Sequence, residues 1–380
     1  PAFDDLLADE PMSGVLATDP AAPTLIAYTS GTTSAPKGVI HSHQTLVHET
    51  HQLVGQNQED TGKQLTAAPV GHFIGMVGAL LMPVLNGMPI NLLDVWDPGK
   101  ALELIEREKV TNFIGVPTQS WDLLEHPDFE KYDTSTLTSV GGGGAPAPPQ
   151  LVSRVGSSFK AAKPGIGYGM TETNAYGPGN GGTDYETHPT STGRATPILQ
   201  LEIRDAEGRA VATGERGEIW MKGPNLIRGY WNKPEATAET IVDGWLKTGD
   251  IGEMDADGNL AIVDRAKDLI IRGGYNVYPS EIEETLYAHP DVVEAAVYAI
   301  PDPAVGDQVM SALVLLDDAT FSADDFSAFL AAQDDLGPKQ WPRFVRVATT
   351  LPRTETFKVI KRQLSAEGTD CVDPVFAIAR

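Results

Sequence analysis

The sequence predicts an α/β protein in two parts. A large N-terminal part has parallel α/β sheets plus a β-rich subdomain, and a small α+β part follows. Three observations predict it. Between residues 65 and 125, strand-like apolar runs alternate with helix-period segments, which implies a parallel sheet. From about Ser191 the pattern turns to β, with turns at Glu207-Gly208 and Asp257-Gly258. Beyond residue 281 it reads helix, strand, strand, helix, strand. The 380 residues, 41% of them hydrophobic, suffice for two or three domains and a sizeable core.

In chain order, residues 1–23 form an acidic, Pro- and Ala-rich lead-in. The apolar run 24–27 reads as a buried strand, and Tyr28-Thr29-Ser30-Gly31-Thr32-Thr33-Ser34-Ala35-Pro36-Lys37-Gly38 follows it. Glycines turn backbone N–H groups towards an anion, hydroxyls add donors and the lysine adds a charge, which suits a polyphosphate cradle. The Walker A spacing is absent, because here the lysine precedes the last glycine. The plain alternative is a polar surface turn. Residues 45–58 read as a helix, and its His48-Glu49-Thr50-His51 has the histidines three apart, not the four a zinc protease helix needs.

The segment 65–76 reads as a strand that breaks at Pro69 and Gly71 and enters an apolar helix, with His72 at the turn. Strands follow at 89–93 and 112–116, helices at 98–109 and 118–125. In such sheets ligands sit beyond the carboxyl ends of the strands, where the glycine-rich turns fall. Gly142 to Ala147 formally fits a dinucleotide-binding G-x-G-x-x-A, but Pro146, Pro148 and Pro149 crowd the helix start and no acidic residue follows at ribose distance. These glycines instead let a flat ring lie against the backbone. Thr171-Glu172 offers a hydroxyl to a phosphate and a carboxylate to Mg²⁺, or alternatively caps a helix. Residues 177–182 read as a glycine-dense loop. Asp255-Ala256-Asp257-Gly258 lacks an acid at the twelfth position of a calcium loop and reads as a hairpin turn. Asp250 can accept two hydrogen bonds from a ribose diol. The stretch 264–283, with Gly273-Gly274, suits a joint between domains, and the basic residues of 353–362 suggest an anionic ligand.

Composition narrows the function. A net charge of −24 argues against a nucleic-acid surface. The single cysteine, Cys371, excludes a disulfide framework and favours a reducing cytoplasm. No run approaches the roughly 20 apolar residues of a membrane span.

Taken together, six blocks resemble, in order, those of the acyl-/aryl-adenylate-forming (AMP-binding) enzymes. That superfamily includes acyl-CoA synthetases, peptide-synthetase adenylation domains and firefly luciferase. The blocks are residues 29–38, 69–75, 142–146, 168–172, 248–250 with 264–283, and 352–358, so the resemblance spans about 24–365. Bacterial fatty-acid-type acyl-CoA synthetases look most similar. Ser34 and Phe357 stand where the family commonly has glycine.

The resemblance implies an adenylating domain over 1–264, lacking its leading part, and a mobile C-terminal domain over 265–380 hinged near Lys267. It implies ATP, Mg²⁺ and CoA as cofactors or co-substrates, and a small carboxylic acid, of medium or long chain, as substrate. No nucleic acid or membrane span is implied, and a homo-oligomer is left open. Thr29, Ser30, Gly31, Thr32, Thr33 and Lys37 would wrap the phosphates. Glu172 would bind Mg²⁺ and Thr171 the α-phosphate, while Gly143, Gly144 and Ala145 flank adenine. Asp250 and Arg265 would hold the ribose. Lys358 would be the catalytic lysine, and Gly274 would line the pantetheine channel. His72 would gate the acid pocket, with Gly167, Tyr168 and Gly169 as its wall. The alternatives are aryl, alicyclic or sterol-derived acids, transfer to a carrier-protein thiol, a luciferase-like oxygenase, and a non-catalytic nucleotide-binding fragment.

Overall fold

The structure, a computed structural model, describes residues 14, 16–29, 36–56, 62–145, 147–334, 336–353 and 359–378. β1 (Pro23–Tyr28) pairs antiparallel with β2 (Gly38–Ser42), Tyr28 opposite Gly38. The hydroxyl-rich stretch thus links the two strands of a hairpin. β1 is not the buried strand its sequence suggests: it is the edge of a three-stranded sheet, and Tyr28 is 66% exposed.

The central sheet is assembled from strands alternating with helices. After α1 (His43–Gln56) come β3 (Lys63–Thr66), α2 (Phe73–Met76), a π-helical stretch Val77–Leu81, α3 (Met82–Asn86) and β4 (Ile90–Leu92). Then follow α4 (Pro98–Glu108), β5 (Val110–Gly115), α5 (Pro117–Glu125), β6 (Ser139–Gly143), α6 (Pro149–Ser158), β7 (Lys163–Gly167) and β8 (Gly179–Gly181). Sequence decides these elements locally. For α4, the Asp97 side chain accepts from the Lys100 N–H at 2.9 Å and Pro98 opens the first turn. Ala101, Leu102 and Ile105 face the core, and Lys109 ends the helix at φ 54°.

The sheet order is β4-β3-β5-β6-β7-β8, parallel throughout except for β8. The segment 177–182, read as a loop, therefore contains an edge strand. This strand pairs with β7, and the Tyr176 ring lies against Gly179, where a Cβ would sit 1.8 Å from the Tyr176 hydroxyl. Leu65, Leu102, Ile105, Phe113, Leu123 and Val155 form the core between sheet and helices.

A second sheet, β12-β13-β10-β9 with β14 on β13, comprises β9 (Gln200–Arg204), β10 (Gly217–Lys222), β12 (Ile241–Val242), β13 (Trp245–Met254) and β14 (Leu260–Arg265). Between β10 and β12, β11 (Gly229–Tyr230) leaves this sheet to pair with β2. The C-terminal sheet holds β15 (Ile270–Arg272), β16 (Tyr275–Val277), β17 (Val292–Asp302), β18 (Gly306–Leu315), β19 (Phe344–Val347) and β20 (Val375–Ala377). It packs with α7 (Pro279–Tyr287), α8 (Ala323–Ala331) and α9 (Lys361–Glu367).

Within the stretch 264–283, Gly273 and Gly274 have a local role. At φ +57° and +80°, with Arg272 opposite Tyr275, they form the two-residue turn of the β15–β16 hairpin. The basic stretch 353–362 is likewise partly committed: Arg353 pairs with Glu294 at 2.7 Å and Lys361 with Glu283 at 2.8 Å. Among the described residues, no helix is long and apolar enough to cross a membrane.

Candidate active site

Two buried carboxylates organise the ground beyond the carboxyl ends of β6 and β7. The first, Asp250, lies on β13 opposite Arg265 of β14 and is 6% exposed. Tyr168, just past β7, donates its hydroxyl to Asp250 Oδ2 at 2.6 Å, and Arg265 Nε stands 3.3 Å from Oδ1. Thr248 braces the strand: its Oγ1 accepts from the Asp250 N–H at 3.1 Å and donates to the Ile219 carbonyl at 2.8 Å. Burial, reinforced by the Asp250 charge, pushes the Tyr168 phenol well above its ordinary value, so it keeps its proton and donates. A carboxylate can accept up to about four hydrogen bonds.

The second, Glu172, sits in the 3-10 turn Thr171–Thr173 and is 5% exposed. Tyr230 of β11 donates its hydroxyl to Glu172 Oε1 at 2.8 Å. The Lys37 ammonium lies 4.6 Å from the centroid of the Tyr230 ring. Burial raises the Glu172 pKa; the Tyr230 hydrogen bond and the Lys37 charge oppose the rise, and the Asp250 charge adds to it. The turn is held from both sides, as the Ile227 N–H donates to the Glu172 carbonyl at 3.0 Å and His41 Nε2 donates to the Thr171 carbonyl at 2.8 Å. A desolvated carboxylate short of compensating charge fits a hard cation, and Mg²⁺ commonly takes one or two protein carboxylates with the phosphates of its nucleotide.

Beneath this turn lies a polar floor. Asn174, at φ 59° and fully buried, donates to the Thr45 and Asn225 carbonyls at 3.2 and 2.6 Å. Asn225 donates to Glu49 Oε2 at 2.8 Å, and Gln52 donates to the same oxygen at 2.7 Å. Burial pushes Glu49 up to about 8, the two amide hydrogen bonds offsetting part of it. The unfolded chain releases this proton near 4.5 and the folded chain near 8, so stability falls as pH rises through that window. Glu49→Gln is therefore expected to be more stable than the parent at pH 8, by on the order of a few kcal/mol, and to lose that advantage by pH 4.5. Urea unfolding at pH 5, 6.5 and 8 checks it; parallel pH profiles for the two proteins would count against a buried, protonated Glu49. His41 acts in the opposite sense. Burial depresses it to about 4, so its stability is present above pH 6.5 and is lost on acidification towards 4.

Of the expected site residues, Tyr168, Asp250 and Arg265 form one contact set, while Glu172 and Lys37 meet through Tyr230. Thr171 adjoins Glu172. The Thr29 N–H donates to the Lys37 carbonyl at 3.0 Å, pairing the two ends of the cradle stretch. Ser30, Gly31, Thr32, Thr33 and Lys358 lie outside the described residues. Gly143 is in register with Gly167, which sets Gly144 and Ala145 beside Tyr168. Gly142 and Gly143 are also tightly packed against neighbouring backbone. A Cβ at Gly142 would strike the Gly115 carbonyl oxygen at 1.6 Å, and one at Gly143 the Gly167 carbonyl oxygen at 2.3 Å. His72 is exposed and caps α2, its Nδ1 accepting from the Ile74 N–H at 3.4 Å. Gly274 stands in its hairpin turn, and a Cβ there would meet nothing within 4 Å.

Glycines 71, 75, 78, 167 and 169, around His72 and Tyr168, differ in the space beside them. A Cβ at Gly75 would meet the Pro69 carbonyl oxygen at 2.1 Å, at Gly167 the Tyr176 ring at 2.2 Å, and at Gly169 the Ala175 carbonyl oxygen at 2.3 Å. Gly78 would make only ordinary contact with Ile114, and Gly71 faces open space. Sequence reading also missed Tyr230, His41, Glu49 and Asn225 as parts of the site. Glu49 attracted notice only inside a histidine motif, and the Gly229-Tyr230 pair carries no local signal of what its hydroxyl meets 58 residues away.

A family model described as AMP-binding enzyme matches residues 4–231, and one described as AMP-binding enzyme C-terminal domain matches residues 281–358. The chain is 36% identical to a long-chain-fatty-acid–CoA ligase of Bacillus subtilis (strain 168), over 91% of this chain and 62% of that ligase. It is 37% identical to a feruloyl-CoA synthase of Amycolatopsis sp, over 90% of this chain and 69% of the synthase. The structure of the o-succinylbenzoate CoA synthetase from Bacillus subtilis, in complex with its acyl-adenylate intermediate, superposes with a TM-score of 0.85 at 30% identity, covering 95% of this chain and 73% of that one. The chain thus spans about three fifths to three quarters of the length of these relatives, and on these matches it belongs to the AMP-binding enzyme family.

Proposed function

We propose that this protein is an ATP-dependent carboxylic acid:CoA ligase that works through an acyl-adenylate. The observation that carries the reading is the pair of buried carboxylates, one set between a phenol and a guanidinium, the other bonded to a phenol that lies under a lysine. Asp250 accepts from the ribose hydroxyls while Arg265 and Tyr168 orient it. Thr29, with Ser30, Gly31, Thr32, Thr33 and Lys37, wraps the β- and γ-phosphates. Thr171 touches the α-phosphate, and Gly143, Gly144 and Ala145 flank the adenine. Glu172 would hold Mg²⁺, which when bound neutralises and orients phosphate oxygens.

The acid's carboxylate attacks the α-phosphorus and pyrophosphate leaves. Lys358 offsets the charge where the two anions meet. The small domain, residues 265–380, then turns about Lys267, Gly274 comes beside the pantetheine arm, and the CoA thiol displaces AMP from the mixed anhydride. His72 gates the acid pocket.

For the acid, a medium- or long-chain fatty acid is the first reading, its long-chain form supported by the Bacillus ligase. An aryl or alicyclic acid is the second reading, favoured by the feruloyl relative and by the filled space at Gly75, Gly167 and Gly169. A carrier-protein thiol would use the same ATP residues. Incubation with Mg·ATP, CoA and a panel of carboxylic acids, read by mass spectrometry, tests the proposal. Acyl-CoA with stoichiometric AMP is the expected product. AMP or acyl-adenylate without thioester would overturn CoA as acceptor, and neither product with any acid would overturn acid activation.

A further inference from the structure

We infer that Tyr230 is a positioning residue that ties the cation-holding carboxylate to the phosphate-loop lysine. This deepens the proposed Mg·ATP chemistry and rests on that reading. Tyr230 belongs to β11, only two residues long, whose partner is β2. β2 begins immediately after Lys37, so the strand that carries the lysine also carries the tyrosine's backbone. Three contacts fasten it. Tyr230 pairs with Val39, the Trp231 N–H donates to the Gly38 carbonyl at 2.7 Å, and the Arg228 N–H donates to the Ile40 carbonyl at 2.9 Å. A short strand held on both flanks gives its one large side chain a fixed direction.

That side chain is 6% exposed and meets two charged groups with two different parts of itself. Its hydroxyl donates to Glu172 Oε1 at 2.8 Å, and its ring face lies 4.6 Å from the Lys37 ammonium. Glu172 is also fixed through its backbone, by the Ile227 N–H from the segment leading into β11. One connection therefore sets both the carboxylate's orientation and the lysine's distance from it. With Oε1 engaged by the phenol, the carboxylate's orientation is constrained. A cation bridging Glu172 to a phosphate then finds its protein ligand already oriented, and the lysine stands on the same side to meet the phosphates. The two functions of the residue are separable, because phenylalanine keeps the ring and loses only the hydroxyl.

ATP binding to the full chain is measured by calorimetry in EDTA and in saturating Mg²⁺. In the parent, Mg²⁺ is expected to tighten ATP binding. In Tyr230→Phe the Mg²⁺-dependent gain should shrink about tenfold, the weight of a hydrogen bond to a charged group, while affinity in EDTA changes less than about threefold. Tyr230→Leu should in addition weaken binding in EDTA by a few-fold, as the lysine loses its ring. Tyr230→Phe should cost nothing further in a Glu172→Gln background, which guards against a mere folding defect. Equal loss in EDTA and Mg²⁺, no loss in either, or full additivity with Glu172→Gln would overturn the role. A parent that binds no ATP under any condition would overturn the underlying reading as well, and so the two failures are told apart.

Discussion

Lys358→Ala is expected to abolish acyl-adenylate formation, by at least ~10³-fold, yet to leave thioester formation from supplied acyl-AMP within a few-fold of the parent. The argument is electrostatic. In the first half-reaction proposed above, a carboxylate approaches a phosphate that already carries negative charge, and a positive group fixed at the meeting point is worth several kcal/mol in a water-poor site. In the second half-reaction a thiol attacks a carbonyl and AMP departs, so that group is not required at the same place. Other cations of the C-terminal region and the site already have carboxylate partners. Arg353 pairs with Glu294, Lys361 with Glu283, and Arg265 with Asp250. Lys37 lies over Tyr230, on the side of Glu172. Single-turnover measurement of each half-reaction decides the matter, and comparable loss in both would remove Lys358 from its role.

Asp250→Ala should weaken ATP and AMP binding by about 10²- to 10⁴-fold, two hydrogen bonds to a charged group at roughly 1.5–3 kcal/mol each. The side chain already holds Tyr168 and Arg265, so truncation also leaves a buried phenol without its acceptor, at a cost of about 1–3 kcal/mol in stability. Asp250→Asn keeps one acceptor and should fall between parent and alanine variant. Equilibrium binding of AMP, which needs no acid and no CoA, gives the cleanest test. A loss below threefold in the alanine variant would move the ribose away from Asp250.

The legible parts of this protein were those whose causes are local. The helix over 98–108 follows from Asp97, Pro98 and the spacing of Ala101, Leu102 and Ile105. The turns at Gly208 and Gly258 follow from positive φ, at 78° and 81°, which glycine tolerates. Errors arose where a residue's meaning depends on a distant neighbour. The run 24–27 is apolar, but nothing in it reveals that its strand closes a small sheet at the edge. Nor does the sequence show that Pro69, Tyr176 and Ala175 pack closely against Gly75, Gly167 and Gly169.

The sequence by itself determined the α/β class, the order of the elements and the family, since periodicity, turn chemistry and short motifs are written within a few residues. It also singled out Asp250, Arg265, Tyr168, Glu172 and Lys37 as chemistry-bearing. Only the tertiary structure decided how they meet. Tyr168 reaches Asp250 across 82 residues, Tyr230 reaches Glu172 across 58, and Asn225 reaches Glu49 across 176. The physical reason is that hydrogen bonding and desolvation act through space. A carboxylate acquires its raised pKa, its orientation and its partner only when strands far apart in the chain bury it together.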